Sequence, residues 1–198
     1  MDPARRKRTI KAAEVRRAEL LDAAAKLFRL RGFDGVSVAD ITGAAQVAKG
    51  TFYLYFESRE ALLDALRERF SETMAGELQG LRPPREPAGW PSFLRRLVKR
   101  AIELQVEQRE SHELLRRLPH GGSDDGHHAD PVRGHLAGIV EAGILAGAIR
   151  VGEPDLAVDL LYELLHAAGD RAAAHPTAAP KVIRAAQEFT IRALGVNL

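Results

Sequence analysis

The chain has 198 residues, of which 45% are hydrophobic and 28% are charged, a balance typical of a folded globular protein and not of a disordered one. It contains no cysteine, which excludes disulfide bonds and thiol catalysis. The net charge of +2 is unevenly divided, because residues 1–70 hold 14 Lys and Arg against 10 Asp and Glu, whereas residues 71–198 hold 15 against 17. A basic amino-terminal third is compatible with nucleic-acid binding.

Neither a signal peptide nor a membrane span is predicted. The amino terminus is charged and lacks an apolar core with a cleavage site, and the longest mostly apolar run, Ala137 to Ile149, is short and contains Glu141. Together with the absence of cysteine, this leads us to expect a cytoplasmic protein.

Residues 1–13 are predicted to form a flexible basic arm, because Arg5-Arg6-Lys7-Arg8 and Lys11 have almost no apolar residues beside them. Such an arm is either a solvated tail or a segment that follows the DNA backbone. A helix is predicted from Glu14 to Arg31, since five apolar residues fall on one helical face, and Gly32 should end it. These five are Leu20, Leu21, Ala24, Leu27 and Phe28.

Residues 37–56, SVADITGAAQVAKGTFYLYF, are predicted to form two short helices joined by a tight turn. Ser37 can cap the first helix, with Asp40 three residues later completing a near capping box. The pattern restarts at Ala48, and Phe52, Tyr55 and Phe56 then give the second helix an apolar face.

The opposite face of that second helix should be basic, hydroxylic and aromatic. Lys49 can donate to guanine or phosphate, Thr51 can contact either, and Tyr53 can donate its phenol to a phosphate oxygen. Gly50 would let the backbone approach DNA closely. A helix with these groups is suited to the major groove.

A fourth helix should start after Ser58, a good cap, and continue towards Gly80. The stretch AELLDAAAKLFRLRGFDGVSVADITGAAQVAKGTFYLYFESREALLDAL resembles the DNA-binding domain of the tetracycline-repressor (TetR) family of bacterial regulators, over about a quarter of the chain. The resemblance is carried by Arg31-Gly32-Phe33, Ala44-Ala45, Val47, Lys49-Gly50-Thr51-Phe52-Tyr53, Tyr55-Phe56 and Ser58-Arg59-Glu60-Ala61-Leu62.

The resemblance implies an all-α homodimer that binds a pseudo-palindromic operator and is released from DNA by a small molecule. It places Lys49, Thr51, Tyr53 and Tyr55 on or beside the recognition helix, and Ser37 and Arg59 near phosphates. Residues 14–74 would form the DNA-binding domain, and residues 75–198 a ligand-binding domain whose last two helices pair with their copies.

Two residues depart from the family pattern. Gln46 stands where the family usually has Gly, and in a left-handed backbone it should cost about 1 kcal/mol. Ala48 stands where Ser or Thr usually caps the recognition helix, and the missing oxygen should cost about 0.5–2 kcal/mol. These departures leave open a helical ligand-binding or scaffold dimer that has lost its DNA function.

The second half is predicted to be helical throughout, after a break with three prolines between Leu81 and Gly89. Helices are expected from Trp90 to Glu110, from near Ser111, and after Asp130-Pro131 to about Gly147. Two more follow the turn at residues 150–155, and the last begins after Pro176 and Pro180. Glycines at 134, 138, 143 and 147 form G-x-x-x-G pairs, which in this polar setting favour close helix packing, or space for a ligand, over membrane dimerisation.

Effector binding is implied only by the resemblance, and the residues that we expect to line a pocket are Phe93, Leu97, Leu115, Tyr162 and His166. The segment 120–135 is rich in His and Asp, so a metal-responsive regulator is a further alternative, although we assign no metal ligand and no cofactor. No convincing nucleophile or acid–base pair is present, and we expect no enzyme activity.

Overall fold

In the computed structural model, which describes residues 3–109 and 130–197 with side chains from residue 13 onward, the first helix (α1) runs from Pro3 to Arg31. The first helix is therefore about three turns longer than the one predicted from Glu14, because the segment expected to be a flexible basic arm is helical from Pro3. Alanine, arginine and lysine are strong helix formers, and proline is tolerated at the first helical position. High local propensity thus outweighs the lack of an apolar stripe.

Three further helices follow: α2 (Val38–Ala44), α3 (Lys49–Phe52) and α4 (Arg59–Gln79). The start of α4 is as predicted, since the Ala61 amide donates to Ser58 Oγ at 3.1 Å. One buried apolar cluster joins α1, α2, α3 and the first half of α4. Its largest members are Leu20, Leu21, Phe28, Ile41, Phe52, Leu62 and Leu63.

The remaining described helices are α5 (Trp90–Glu107), α6 (Pro131–Leu145), α7 (Pro154–Ala174) and α8 (Ala179–Ala193). Short 3-10 turns, Pro87–Gly89 and Pro176–Ala178, precede α5 and α8. Asp130 caps α6 as expected, accepting from the amides of Val132 and Arg133. The helix predicted near Ser111 lies outside the described residues.

The chain divides into two compact units between Arg69 and Phe70, inside α4, and not after residue 74 as the sequence suggested. The reason is that α4 has two apolar stretches. Leu62 and Leu66 pack in the first cluster, whereas Met74 and Leu78 belong to a second cluster with α5, α6, α7 and α8. A pattern of apolar residues along one uninterrupted helix does not show which core each turn enters.

Candidate nucleic-acid interface

The amino terminus of α2 is fixed by a complete capping box. Ser37 Oγ accepts from the Asp40 amide at 3.1 Å, and Asp40 Oδ2 accepts from the Ser37 amide at 2.8 Å and from the Ser37 hydroxyl. These bonds from Ser37, and then the Arg31 guanidinium 3.3 Å away, lower the pKa of the Asp40 carboxyl. The sequence predicted the box but not the link to Arg31.

The turn between α2 and α3 has the left-handed backbone that we anticipated at Gln46, whose φ is +55°. The Val47 amide donates to the Thr42 carbonyl at 2.9 Å, which closes the turn behind it. Ala48 occupies the cap of α3 and has no side-chain capping bond. Both departures from the family pattern therefore fall at positions where glycine or a hydroxyl residue would suit the local geometry better.

The short helix α3 buries one side and exposes the other. Phe52 is fully buried, and its ring packs near that of Phe56 with centroids 5.6 Å apart. Lys49, Gly50 and Tyr53 are exposed. The helix is shorter than predicted, since it ends at Phe52 with Tyr53 as its C-cap and does not continue to Phe56. Lys49 and Tyr53 are exposed as expected, whereas Thr51, predicted on the same face, is half-buried.

Four of the predicted DNA-binding residues line one open depression of roughly 460 Å³ on the first unit. They are Ser37, Lys49, Tyr53 and Arg59. The depression brings the amino terminus of α2, the start of α3 and the start of α4 to the same surface. Two cations, Lys49 and Arg59, line it together with two carboxylates, Asp34 and Asp40, so its charge is balanced, and Lys49 and the hydroxyl groups of Ser37 and Tyr53 are its candidate donors to a phosphate backbone.

The other three predicted residues differ in accessibility. Gly50 is exposed and has no heavy atom within 4 Å of the place where a β-carbon would lie, so the surface there is open. Thr51 and Tyr55 are half-buried, and Tyr55 packs against the first apolar cluster. Sequence analysis did not single out Leu54, which is 79% exposed beside Tyr53 and is the most solvent-accessible apolar side chain of this motif.

The guanidinium of Arg59 is bonded to the protein itself. Nη1 donates to the carbonyl oxygens of Phe33, at 3.1 Å, and of Val36, and the group lies 4.6 Å from the centroid of the Phe33 ring. Nothing in the sequence signals these bonds, because the partners are 26 and 23 residues away.

The residues predicted to bind an effector lie in the second unit. Phe93 and Leu97 are completely buried in its core, whereas Tyr162 and His166 are half-buried with ring centroids 4.3 Å apart. Burial, followed by the nearby Asp130 carboxylate, raises the pKa of Tyr162. Leu115 lies outside the described residues, as does most of the segment 120–135.

Among the helices that the structure describes, none combines the length and the apolarity needed to cross a bilayer. Within residues 3–109 and 130–197, no three His, Asp or Glu side chains converge to form a metal site. Of the segment 120–135, residues 120–129 lie outside the described part of the chain.

Comparison with known proteins supports the interpretation of the first unit. Residues 20–66 match the family described as bacterial regulatory proteins, tetR family. The chain is also 40% identical over 62 residues to the HTH-type transcriptional repressor KstR2 of Rhodococcus jostii strain RHA1. That match covers 31% of this chain and only 30% of KstR2, so it concerns the DNA-binding region and not the whole length of the relative.

Two solved structures show the same fold over most of the chain. A protein assigned to the tetR family of transcription regulators, from Shewanella sp. PV-4, has a TM-score of 0.73 at 21% identity. The match covers 90% of this chain and 97% of the Shewanella chain. FadR of Bacillus subtilis, solved in complex with stearoyl-CoA, has a TM-score of 0.68 at 17% identity, and the match covers 89% of this chain and 98% of FadR. Helix-turn-helix geometry and the family match agree that residues 20–66 form a DNA-binding domain of the tetR type, and the chain as a whole has the fold of these two structures.

Proposed function

We propose that the protein is a transcriptional repressor that binds double-stranded operator DNA through α2 and α3. The main support is the exposure of Lys49 and Gly50 on the second helix of a helix-turn-helix, and of Tyr53 at its carboxyl-terminal cap, while the other side of that helix is packed in the core. A short helix with a cation, a phenol and an accessible backbone can contact base edges and phosphates in the major groove. Ser37, Thr51 and Tyr55 complete the proposed set of DNA-contacting residues, and Arg59 lines the same depression, where its guanidinium is bonded to the protein itself.

The protein is proposed to act as a homodimer in the cytoplasm. Leu156 and Leu160 lie one turn apart on α7 and are more than half exposed, and Phe189 on α8 is 61% exposed. Large apolar side chains on two adjacent helices are typical of a surface that a partner covers. A two-fold dimer would present two recognition helices to successive major grooves of a pseudo-palindromic site.

A small molecule bound to the second unit is proposed to release the protein from DNA. The support is the fold shared with FadR, whose structure contains stearoyl-CoA, and the half-buried Tyr162 and His166 beside the apolar core. In one conformation of the dimer the two recognition helices would have the spacing that the operator requires, and in the other they would not. A ligand that binds the second conformation more tightly would lower operator affinity, by at most the ratio of its affinities for the two conformations. Helix α4 contributes to both units and is the element that we propose to transmit the change.

DNA binding can be tested with duplexes selected from a random pool and with the DNA upstream of the protein's own gene. We expect wild-type protein to prefer selected over unrelated duplex, and Lys49→Gln to weaken binding. If Lys49 contacts a phosphate, the slope of log affinity against log salt should fall by about 0.9. Lys99→Gln is a matched control, since Lys99 is an exposed lysine of the second unit paired with Glu103. Equal binding of all duplexes by the wild type would refute the proposal.

Release by an effector requires a separate measurement. Compounds that raise the unfolding temperature of the protein should be added to the protein–DNA complex, and at least one is expected to lower operator affinity. Stabilising compounds that all leave operator affinity unchanged would contradict the ligand-responsive part of the proposal, without affecting DNA binding itself.

A further inference from the structure

Arg59 connects α4 to the segment between α1 and α2. Its Nη1 atom donates to the carbonyl oxygens of Phe33 and Val36, and its guanidinium lies over the Phe33 ring. Only 28% of its side chain is exposed. The contacts thus engage both the hydrogen-bonding edge and the flat face of the group, which is a mode of binding available to arginine and not to lysine.

The two carbonyls have few other partners in this part of the chain. Phe33 and Val36 lie between α1 and α2, where regular helical bonds are missing, and the Val36 amide donates a long bond, 3.3 Å, to the Phe33 carbonyl. The Phe33 and Val36 side chains are buried in the core. An arginine that satisfies such carbonyls fixes the course of the backbone here.

This backbone leads directly into the proposed DNA-binding surface. Val36 is followed by Ser37, which caps α2 and lines the same depression as Lys49 and Tyr53. Displacing Val36 would therefore move the start of α2 relative to α3.

We infer that Arg59 is a positioning residue for DNA recognition, which holds the α1–α2 connection and the amino terminus of α2 in place by binding the Phe33 and Val36 carbonyls, and is not primarily a phosphate ligand. The inference rests on the proposed function. It differs from the role that the resemblance implies for Arg59, since a phosphate contact depends on positive charge, whereas this role depends on the shape of the guanidinium.

The substitutions Arg59→Lys and Arg59→Gln separate the two roles, because lysine keeps the charge and loses the paired carbonyl bonds. We expect Arg59→Lys to weaken binding to a selected duplex by about tenfold or more, with an unchanged salt slope and a smaller effect on unrelated duplex. Arg67→Lys is the matched control, because Arg67 lies on the same helix with 25% of its side chain exposed and pairs with Asp64. That control should bind DNA as the wild type does.

Amide hydrogen exchange provides a measurement that does not require DNA. In Arg59→Lys, exchange at residues 34–41 is expected to be faster by about tenfold, while exchange in the core of α4, at residues 62–66, stays as in the wild type. All binding should be measured well below the unfolding temperature of each variant, so that lost affinity does not reflect unfolded protein.

Three results would overturn this role. If Arg59→Lys binds within about threefold of the wild type and Arg59→Gln lowers the salt slope by about 0.9, Arg59 contacts phosphate. If exchange becomes faster while affinity and discrimination stay unchanged, Arg59 is structural only. If the wild type prefers no duplex, the proposed function fails as well, and this is seen before any variant is made.

Discussion

Gly143 of α6 lies against Ile149, whose amide donates to the Gly143 carbonyl at 3.0 Å. A β-carbon at position 143 would come within 2.4 Å of Ile149 Cδ1 and 2.9 Å of Trp90 Cζ3, and both partners are buried. We predict that Gly143→Ala destabilises the protein by about 1–3 kcal/mol, because the buried neighbours cannot move aside without strain. Urea unfolding at one fixed protein concentration measures this change, since dimer stability depends on concentration.

Gly138→Ala is the matched control on the same helix. No heavy atom lies within 4 Å of a β-carbon built there, so this substitution should be neutral or stabilising by up to about 1 kcal/mol, through the helix propensity of alanine. Ile149→Val removes the atom closest to the new β-carbon and should recover part of the loss in the double variant. Equal effects of Gly143→Ala and Gly138→Ala would contradict the packing role of Gly143.

Gln46 adopts φ +55°, a conformation that costs an ordinary side chain about 1–2 kcal/mol. Replacing it by glycine removes that cost but gives the unfolded chain more freedom, so Gln46→Gly is predicted to stabilise the protein by about 0.5–1 kcal/mol. Gln46→Ala should give no such gain, because alanine keeps the β-carbon. A stabilisation of similar size in both variants, measured by thermal unfolding, would show that the Gln46 side chain and not the backbone is responsible.

The capping box makes the stability of α2 dependent on pH. Because its bonds with Ser37 lower the pKa of Asp40, the folded state favours the ionised carboxylate. The resulting stability is fully present above the unfolded pKa, near 3.9, and is lost as the pH falls through the lower folded pKa. The difference in unfolding free energy between the wild type and Asp40→Asn should thus be constant from pH 7 to pH 5 and shrink below about pH 4. A difference that is independent of pH would mean that the charge of Asp40 contributes nothing.

Local sequence signals predicted most of the DNA-binding unit. Ser37 and Asp40 are three residues apart and interact within one turn, and the apolar residues Phe52, in α3, and Phe56, after its end, were both expected in the core and are both buried. The long-range contacts could not be predicted in this way. Arg59 binds carbonyls more than twenty residues away, and the partition of α4 between two cores depends on which helices pack against Leu66 and Met74.

The amino-terminal segment and the glycines of α6 show two other limits. The run of basic residues before Glu14 has no apolar stripe, so a hydrophobic pattern cannot reveal the helix that its intrinsic propensity forms. The G-x-x-x-G spacing predicted close packing at several glycines. Among the glycines of this helix, only Gly143 has heavy atoms of other residues within 4 Å of a β-carbon built on it. Spacing identifies candidates for close approach, and only the fold shows which of them are used.

Leu160 on α7 and Phe189 on α8 are each about 60% exposed, and we predict that they lie in the homodimer interface. Leu160→Glu combined with Phe189→Glu would place four carboxylates in that interface, counting both protomers, and the cost of desolvating them should raise the dissociation constant by about a hundredfold or more. Light scattering coupled to gel filtration would then report the mass of a 21.7 kDa protomer, whereas the wild type should give twice that mass.

Leu145→Glu is the control for this experiment, because Leu145 is 82% exposed on α6 and lies outside the predicted interface. It should leave the dimer intact, although it adds the same charge to an exposed leucine. The separated protomers of the double variant should retain their helical circular dichroism and contact only a half-site, so that affinity for a full operator falls steeply. A wild-type protein that is monomeric at micromolar concentration, or a double variant that remains dimeric, would place the interface elsewhere.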